Sequence, residues 1–191
     1  MNFLAHIYLS GDSDELKIGN FIGDFVKASD MGDYSENINK GISMHWAIDE
    51  FTDRHPIVQK SKDRLRPKYG HYAGVIIDIY YDHFLARNWN DYQTEDLRIY
   101  VNKQYKMLEN HISILPQKVV HMLPYMIKYD WLYNYQYFDG IERVMEGMAN
   151  RSNFNSKMDE SVIELKKYHK EFEEEFQAFF PELQKHCRAF L

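Results

Sequence analysis

Three observations predict an all-α fold of one domain. Apolar residues recur mostly at three- and four-residue steps, which is helical spacing. Strand signals are scarce, and no run alternates convincingly between polar and apolar residues. The length, 191 residues, fits one domain at roughly 150 residues each. A composition of 45% hydrophobic and 27% charged residues supplies a sizeable core and excludes a disordered chain.

The elements follow in order. Leu16, Phe21, Phe25 and Val26 share a helix opened by Ser13 or Asp14. A longer helical segment is expected over 35–66, bent near Pro56 and stopped by Pro67, with Gly70 marking a turn. Residues 72–89 are apolar nearly all round, so that helix is central. Thr94-Glu95-Asp96 starts a fourth, ended by Pro116. Residues 117–135 read as helical with a kink at Pro124, and 138–150 as helical. The stretch 150–153 reads as a loop. In the tail, 158–191, Val162, Leu165, Tyr168, Phe172, Phe176, Phe179 and Leu183 form one stripe, a core or dimer contact. The expected domain is 1–191.

The net charge of -6 disfavours nucleic acid as the main partner. A lone cysteine, Cys187, rules out an internal disulfide framework and fits a reducing compartment. No uncharged apolar run nears the ~20 residues a membrane helix needs, and MNFLAHIYLS has no basic leader region. The expectation is a soluble, cytoplasmic protein with no membrane partner and an open oligomeric state.

Chemistry is expected where polar residues interrupt apolar stripes. At about 100° per residue, His45, Asp49 and Thr52 fall within roughly 60° of each other, in line with Ile38 and Ile42. A stripe that turns from isoleucine to histidine and carboxylate points inward to a site; a solvated face is the alternative. Asp49 and Asp53 are also a like-charge i,i+4 pair. In the central helix, Asp78 and Asp82 stand one turn apart among aliphatic and aromatic neighbours. They cannot both be ionised there without a cation, and a divalent metal is the simplest one, arginine pairing being the alternative. His83 points about 140° away from Asp78, as a core histidine or a catalytic one. His6 lies in an apolar segment, and Asn20 and Asp24 share one face beside Gly19 and Gly23, which allow close helix approach. Mixed histidine and carboxylate ligands favour Mn²⁺ or Mg²⁺ over structural zinc. No phosphate loop or serine elbow is present. Lys60, Lys62, Arg64, Arg66 and Lys68 form a basic cluster; Lys60, Arg64 and Lys68 share one side, either a solvated face or a dock for an acidic partner or phosphate.

These residues resemble a known family, the acyl carrier protein phosphodiesterases. The resemblance rests on Asn2-Phe3-Leu4-Ala5-His6, then Gly19-Asn20 with Gly23-Asp24-Phe25-Val26. Next come Gly41, His45, Ile48-Asp49 and Thr52-Asp53, followed by Asp78 with Asp82-His83-Phe84-Leu85 and Trp89. Trp131-Leu132 and Gly147-Met148-Ala149 extend it over most of the chain. The family implies an all-helical bundle resembling a distorted HD-domain metallophosphohydrolase. It implies Mn²⁺-dependent removal of 4′-phosphopantetheine from holo-acyl carrier protein. Carried over residue by residue, the metal candidates are His6, Asp24, His45, Asp49, Asp78 and Asp82. The catalytic candidates are Asp24, His45, Asp49, Asp53 and His83, with Asp49 or Asp53 free to orient or deprotonate a water. The carrier protein would dock on Lys60, Arg64 and Lys68. Trp46 stands directly after His45, where many relatives carry arginine, and as a stacking residue it keeps open a nucleotide or other small phosphoester. A non-enzymatic helical interaction protein is the third reading.

Overall fold

The computed structural model describes residues 1–152 and 155–191. It is all-α, with no strand among the described residues. Asn153 of the expected loop lies outside them. The helices are α1 (Phe3–Leu9), α2 (Asp14–Ile22), α3 (Glu36–Arg54), α4 (Pro56–Tyr69), α5 (Ala73–Arg87) and α6 (Leu97–Asn110). They continue with α7 (Gln117–Lys128), α8 (Trp131–Asn134), α9 (Phe138–Arg151), α10 (Val162–Lys167) and α11 (His169–Cys187). No helix among the described residues is long and apolar enough to cross a membrane.

The starts obey capping chemistry. Ser13 accepts the Leu16 N–H, Ser35 the Ile38 N–H, and Asp96 the N–H groups of Arg98 and Ile99. His55, ahead of Pro56, is extended, and Pro56 then opens α4 at a position where its missing N–H costs nothing. So the expected 35–66 segment is two helices. Pro67 does not stop the second, which runs on to Tyr69, because the proline sits in its final turn. Similarly, 117–135 divides into α7 and α8, where Asp130 takes the left-handed conformation.

Helix α5 is central, as its circumference requires. Ile76, Ile77, Ile79, Tyr80, Tyr81, Phe84 and Leu85 are all fully buried, and α1, α4, α9 and α11 surround them. The tail stripe is core: Phe172, Phe176, Phe179 and Leu183 are fully buried, and Phe176 and Phe179 pack on Tyr81.

Helices α2 and α3 cross at backbone contact. A Cβ on Gly19 would overlap the Ile38 carbonyl, and one on Gly41 the Leu16 carbonyl. A Cβ on Gly23 would overlap the His45 ring. Glycine is required at these three positions for approach, and the approach sets His45 against the end of α2.

Candidate functional site

His6 on α1 and His45 on α3 are both buried, with their rings stacked at a centroid distance of 4.1 Å. Asn20 of α2 orients both. His6 Nδ1 lies 2.7 Å from the Asn20 Oδ1, and His45 Nδ1 lies 2.7 Å from the Asn20 backbone oxygen. The Asn20 amide donates to the His6 carbonyl and to Ser10 Oγ, which leaves its Oδ1 as an acceptor. Each imidazole therefore carries a proton on Nδ1 and turns Nε2 the other way.

Carboxylates wait there. His45 Nε2 is 3.2 Å from both Asp24 Oδ1 and Asp49 Oδ2, and His6 Nε2 is 3.4 Å from Asp49 Oδ1. Yet His45 Nε2, buried, makes no aligned hydrogen bond. A neutral His45 would face those oxygens lone pair to lone pair. A positive charge removes the conflict, either a second ring proton or a cation between the groups. Donor atoms of His6, His45 and Asp49 lie within 4.8 Å of one another, a spacing that could hold a metal ion. Each histidine is fixed through Nδ1, the way histidines that ligate a metal are commonly held by their other nitrogen. Nitrogen and oxygen donors without thiolate fit Mn²⁺ or Mg²⁺.

The electrostatics follow. Burial alone lowers the pKa of His45, but Asp24 and Asp49 overcome it and raise it to about 9. His6 is lowered, by burial first and by the charge on His45 second. Burial works against the Asp49 carboxylate, yet the two histidines bring its pKa down; Asp24 is lowered chiefly by its contact with His45. With a folded pKa near 9 against an ordinary 6.5, His45 stabilises the cation-free fold fully below pH 6.5. That contribution is lost as pH rises through 9. The Met1 amine, whose pKa is also raised, acts in the same direction. Urea unfolding in chelator should therefore show a midpoint that falls between pH 6.5 and 9. His45→Gln should flatten the fall; an equal slope in that variant would assign it elsewhere.

Asp78 and Asp82 stand apart from this cluster. Asp78 Oδ1 pairs with the Met1 amine at 2.7 Å. Asp82 is fully buried and accepts the N–H groups of Asn2 at 2.9 Å, Leu4 at 2.8 Å and Ala5 at 3.4 Å. Its oxygens close the start of α1. Burial pushes its carboxyl up to about 7, against the amide donors. Asp78 is thus paired with the Met1 amine and Asp82 with amide donors, while the donors that cluster are those of His6, His45 and Asp49. Asp53 is mostly exposed and pairs with Lys62 at 2.7 Å, away from the histidines. His83 is buried, with Nδ1 2.7 Å from the Tyr135 carbonyl and its ring against Phe84, Phe138 and His169. It is a core histidine, its pKa lowered to about 4 by burial.

The basic cluster is neutralised within the fold. Arg64 makes two hydrogen bonds to Glu175, Lys60 reaches the same carboxylate, and Lys68 pairs with Glu160 and Glu164. These charges tie α4 to α10, α11 and the turn before α10. The Trp46 indole donates to the Gly23 carbonyl at 3.3 Å, so it braces the turn that carries Asp24.

A cleft of about 700 Å³ opens beside the cluster. Asn2, Phe3, Asp24 and Phe25 line one side, and α9 lines the other with Arg143, Val144, Gly147 and Arg151. Sequence reasoning set Asn20 on a face with Asp24 but missed its double hold on the histidines. Its signal was a polar residue between Ile18 and Phe21. The arginines of α9 gave no signal, since exposed arginines are common.

The family model described as acyl carrier protein phosphodiesterase matches residues 1–183. An acyl carrier protein phosphodiesterase of Photorhabdus laumondii is 31% identical over 182 residues, 95% of this chain and 92% of that one. Proteins of the same name from Yersinia enterocolitica and Klebsiella pneumoniae are 31% and 32% identical. These alignments cover 95% and 96% of this chain, and 94% and 95% of the relatives. No solved structure matches. With the family model spanning nearly the whole chain, and relatives this similar over their full length, the chain belongs to the acyl carrier protein phosphodiesterase family.

Proposed function

We propose that this protein is a metal-dependent phosphodiesterase that hydrolyses holo-acyl carrier protein to the apo form and 4′-phosphopantetheine. The observation that carries the reading is the pair of buried histidines, fixed through Nδ1 by Asn20, with both Nε2 atoms aimed at Asp49. His6, His45 and Asp49 would hold the ion, and Asp24 faces them from the cleft side without being spent as a ligand. Mn²⁺, or Mg²⁺, would supply Lewis-acid polarisation of the phosphoryl oxygens and acidify a water. Asp24 is the group that reaches the substrate: its side chain is exposed, lines the cleft and is ionised at neutral pH. It orients the attacking water and accepts its proton. A new oxygen–phosphorus bond forms, the bond from phosphorus to the carrier protein's serine oxygen breaks, and the proton ends on that oxygen. The apolar side chains of Phe3 and Phe25 exclude solvent beside the reacting group.

The test is incubation with purified holo-acyl carrier protein and Mn²⁺, followed by mass spectrometry. Conversion to the apo mass with free 4′-phosphopantetheine is expected, and chelator should stop it. An unchanged holo mass with either metal would reject the reading.

A further inference from the structure

The arginines of α9 differ from most others in the fold. Arg54, Arg64, Arg66 and Arg98 each sit on a carboxylate. Arg143 and Arg151 are exposed and pair with no acid among the described residues, although Glu146 lines the same cleft. At i and i+8 they lie on one side of the helix, and Gly147 lies between them at i+4. Glycine inside a helix is unfavourable relative to alanine. At Gly19 and Gly41 that cost has a packing reason. At Gly147 it has none, since a Cβ there would meet nothing within 4 Å. The bare backbone leaves the cleft wall open between two guanidinium groups.

The surface continues past Arg151. A second hollow of about 390 Å³ shares Met122, Tyr129, Trp131 and Arg151 with the cleft and adds Lys118, His121 and Tyr125. Tyr125 and Tyr129 are 60% and 51% exposed. Lys118 has no acidic partner among the described residues either. Exposed tyrosines interleaved with unpaired cations have the composition of a protein interface that receives an acidic surface. They lie on a chain of net charge -6, which would otherwise repel such a partner.

We infer that an acidic carrier protein docks on the face built by α7 and α9. Lys118, Arg143 and Arg151 meet its carboxylates, Tyr125 and Tyr129 make the apolar contact, and its phosphodiester-linked arm enters past Gly147 toward Asp24. The inference rests on the phosphodiesterase reading and adds where the protein substrate binds.

Two variants test it, the triple charge reversal Lys118→Glu, Arg143→Glu, Arg151→Glu, and Gly147→Leu. The changed residues are exposed or face open space, so both variants should stay folded and unfold within several degrees of the wild-type temperature; this fixes folding before kinetics are read. The triple variant should raise KM for holo-carrier protein at least tenfold, with a much smaller change in kcat. The wild-type KM should climb with salt, and that of the variant should not. Gly147→Leu should lower kcat/KM at least tenfold by filling the arm's path. If the wild type releases 4′-phosphopantetheine and both variants match it, docking lies elsewhere and the phosphodiesterase reading stands. If the wild type releases nothing, that reading falls and this inference falls with it.

Discussion

Replacing His45 with alanine should lower the turnover of holo-acyl carrier protein by about 10³-fold or more, equivalent to about 4 kcal/mol of transition-state stabilisation. His45 is in contact with both Asp24 and Asp49, and it stacks on His6. Its removal would take one donor from the proposed ligand set and leave the Asp24 and Asp49 carboxylates without the imidazole between them. Asn20→Ala should act more mildly. It keeps the Asn20 backbone oxygen for His45 but frees His6, and loss of such an outer-shell partner typically costs about 10–100-fold in metal affinity. Steady-state kinetics with a Mn²⁺ titration read both effects. Wild-type metal affinity and turnover in His45→Ala would remove this cluster from the mechanism.

Asp82→Ala should be the most destabilising of these changes. It leaves the buried N–H groups of Asn2 and Leu4 without an acceptor and opens a void in the core helix. A cost of about 4 kcal/mol is expected, by analogy with stripping one partner from a buried charged contact. For a domain of this size that lowers Tm by about 10 °C. Asp82→Asn, which keeps one oxygen acceptor, should fall between the two. Activity should fall with Asp82→Ala even below its Tm, because α1 carries His6. A Tm within 2 °C of wild type, an order-of-magnitude bound from the same scaling, would show that the amides find other partners.

The helical fold was legible because apolar periodicity in long helices is a strong signal, and the all-round burial of α5 was visible in its composition. The inward stripe of His45 and Asp49 was legible for the same reason. Helix α1 was not: it has seven residues, too few to show a period and too few to stand alone in water. Without α1, the amides that bond Asp82 and the amine that pairs with Asp78 are missing from the reasoning. The ion pairs of the Lys60–Lys68 run were not legible for a related reason. Its partners Glu160, Glu164 and Glu175 lie about a hundred residues later, and spacing along one helix says nothing about charges arriving from another.

The glycines divide into two kinds, and the division bears on how such an enzyme can change its habits. Gly19, Gly23 and Gly41 admit no side chain, because backbone or an imidazole already fills the space. Mutation there cannot be silent, so the packing that seats the two histidines does not tolerate new side chains. At Gly147 an added Cβ would meet nothing within 4 Å. Substitutions at that wall reach the cleft and leave the histidines untouched, so a new partner can be explored one residue at a time while the chemistry is retained. Tolerance to substitution is therefore spatially separated: α2 and α3 are closed to new side chains at their crossing, and α9 is where a laboratory selection for altered substrate choice should begin.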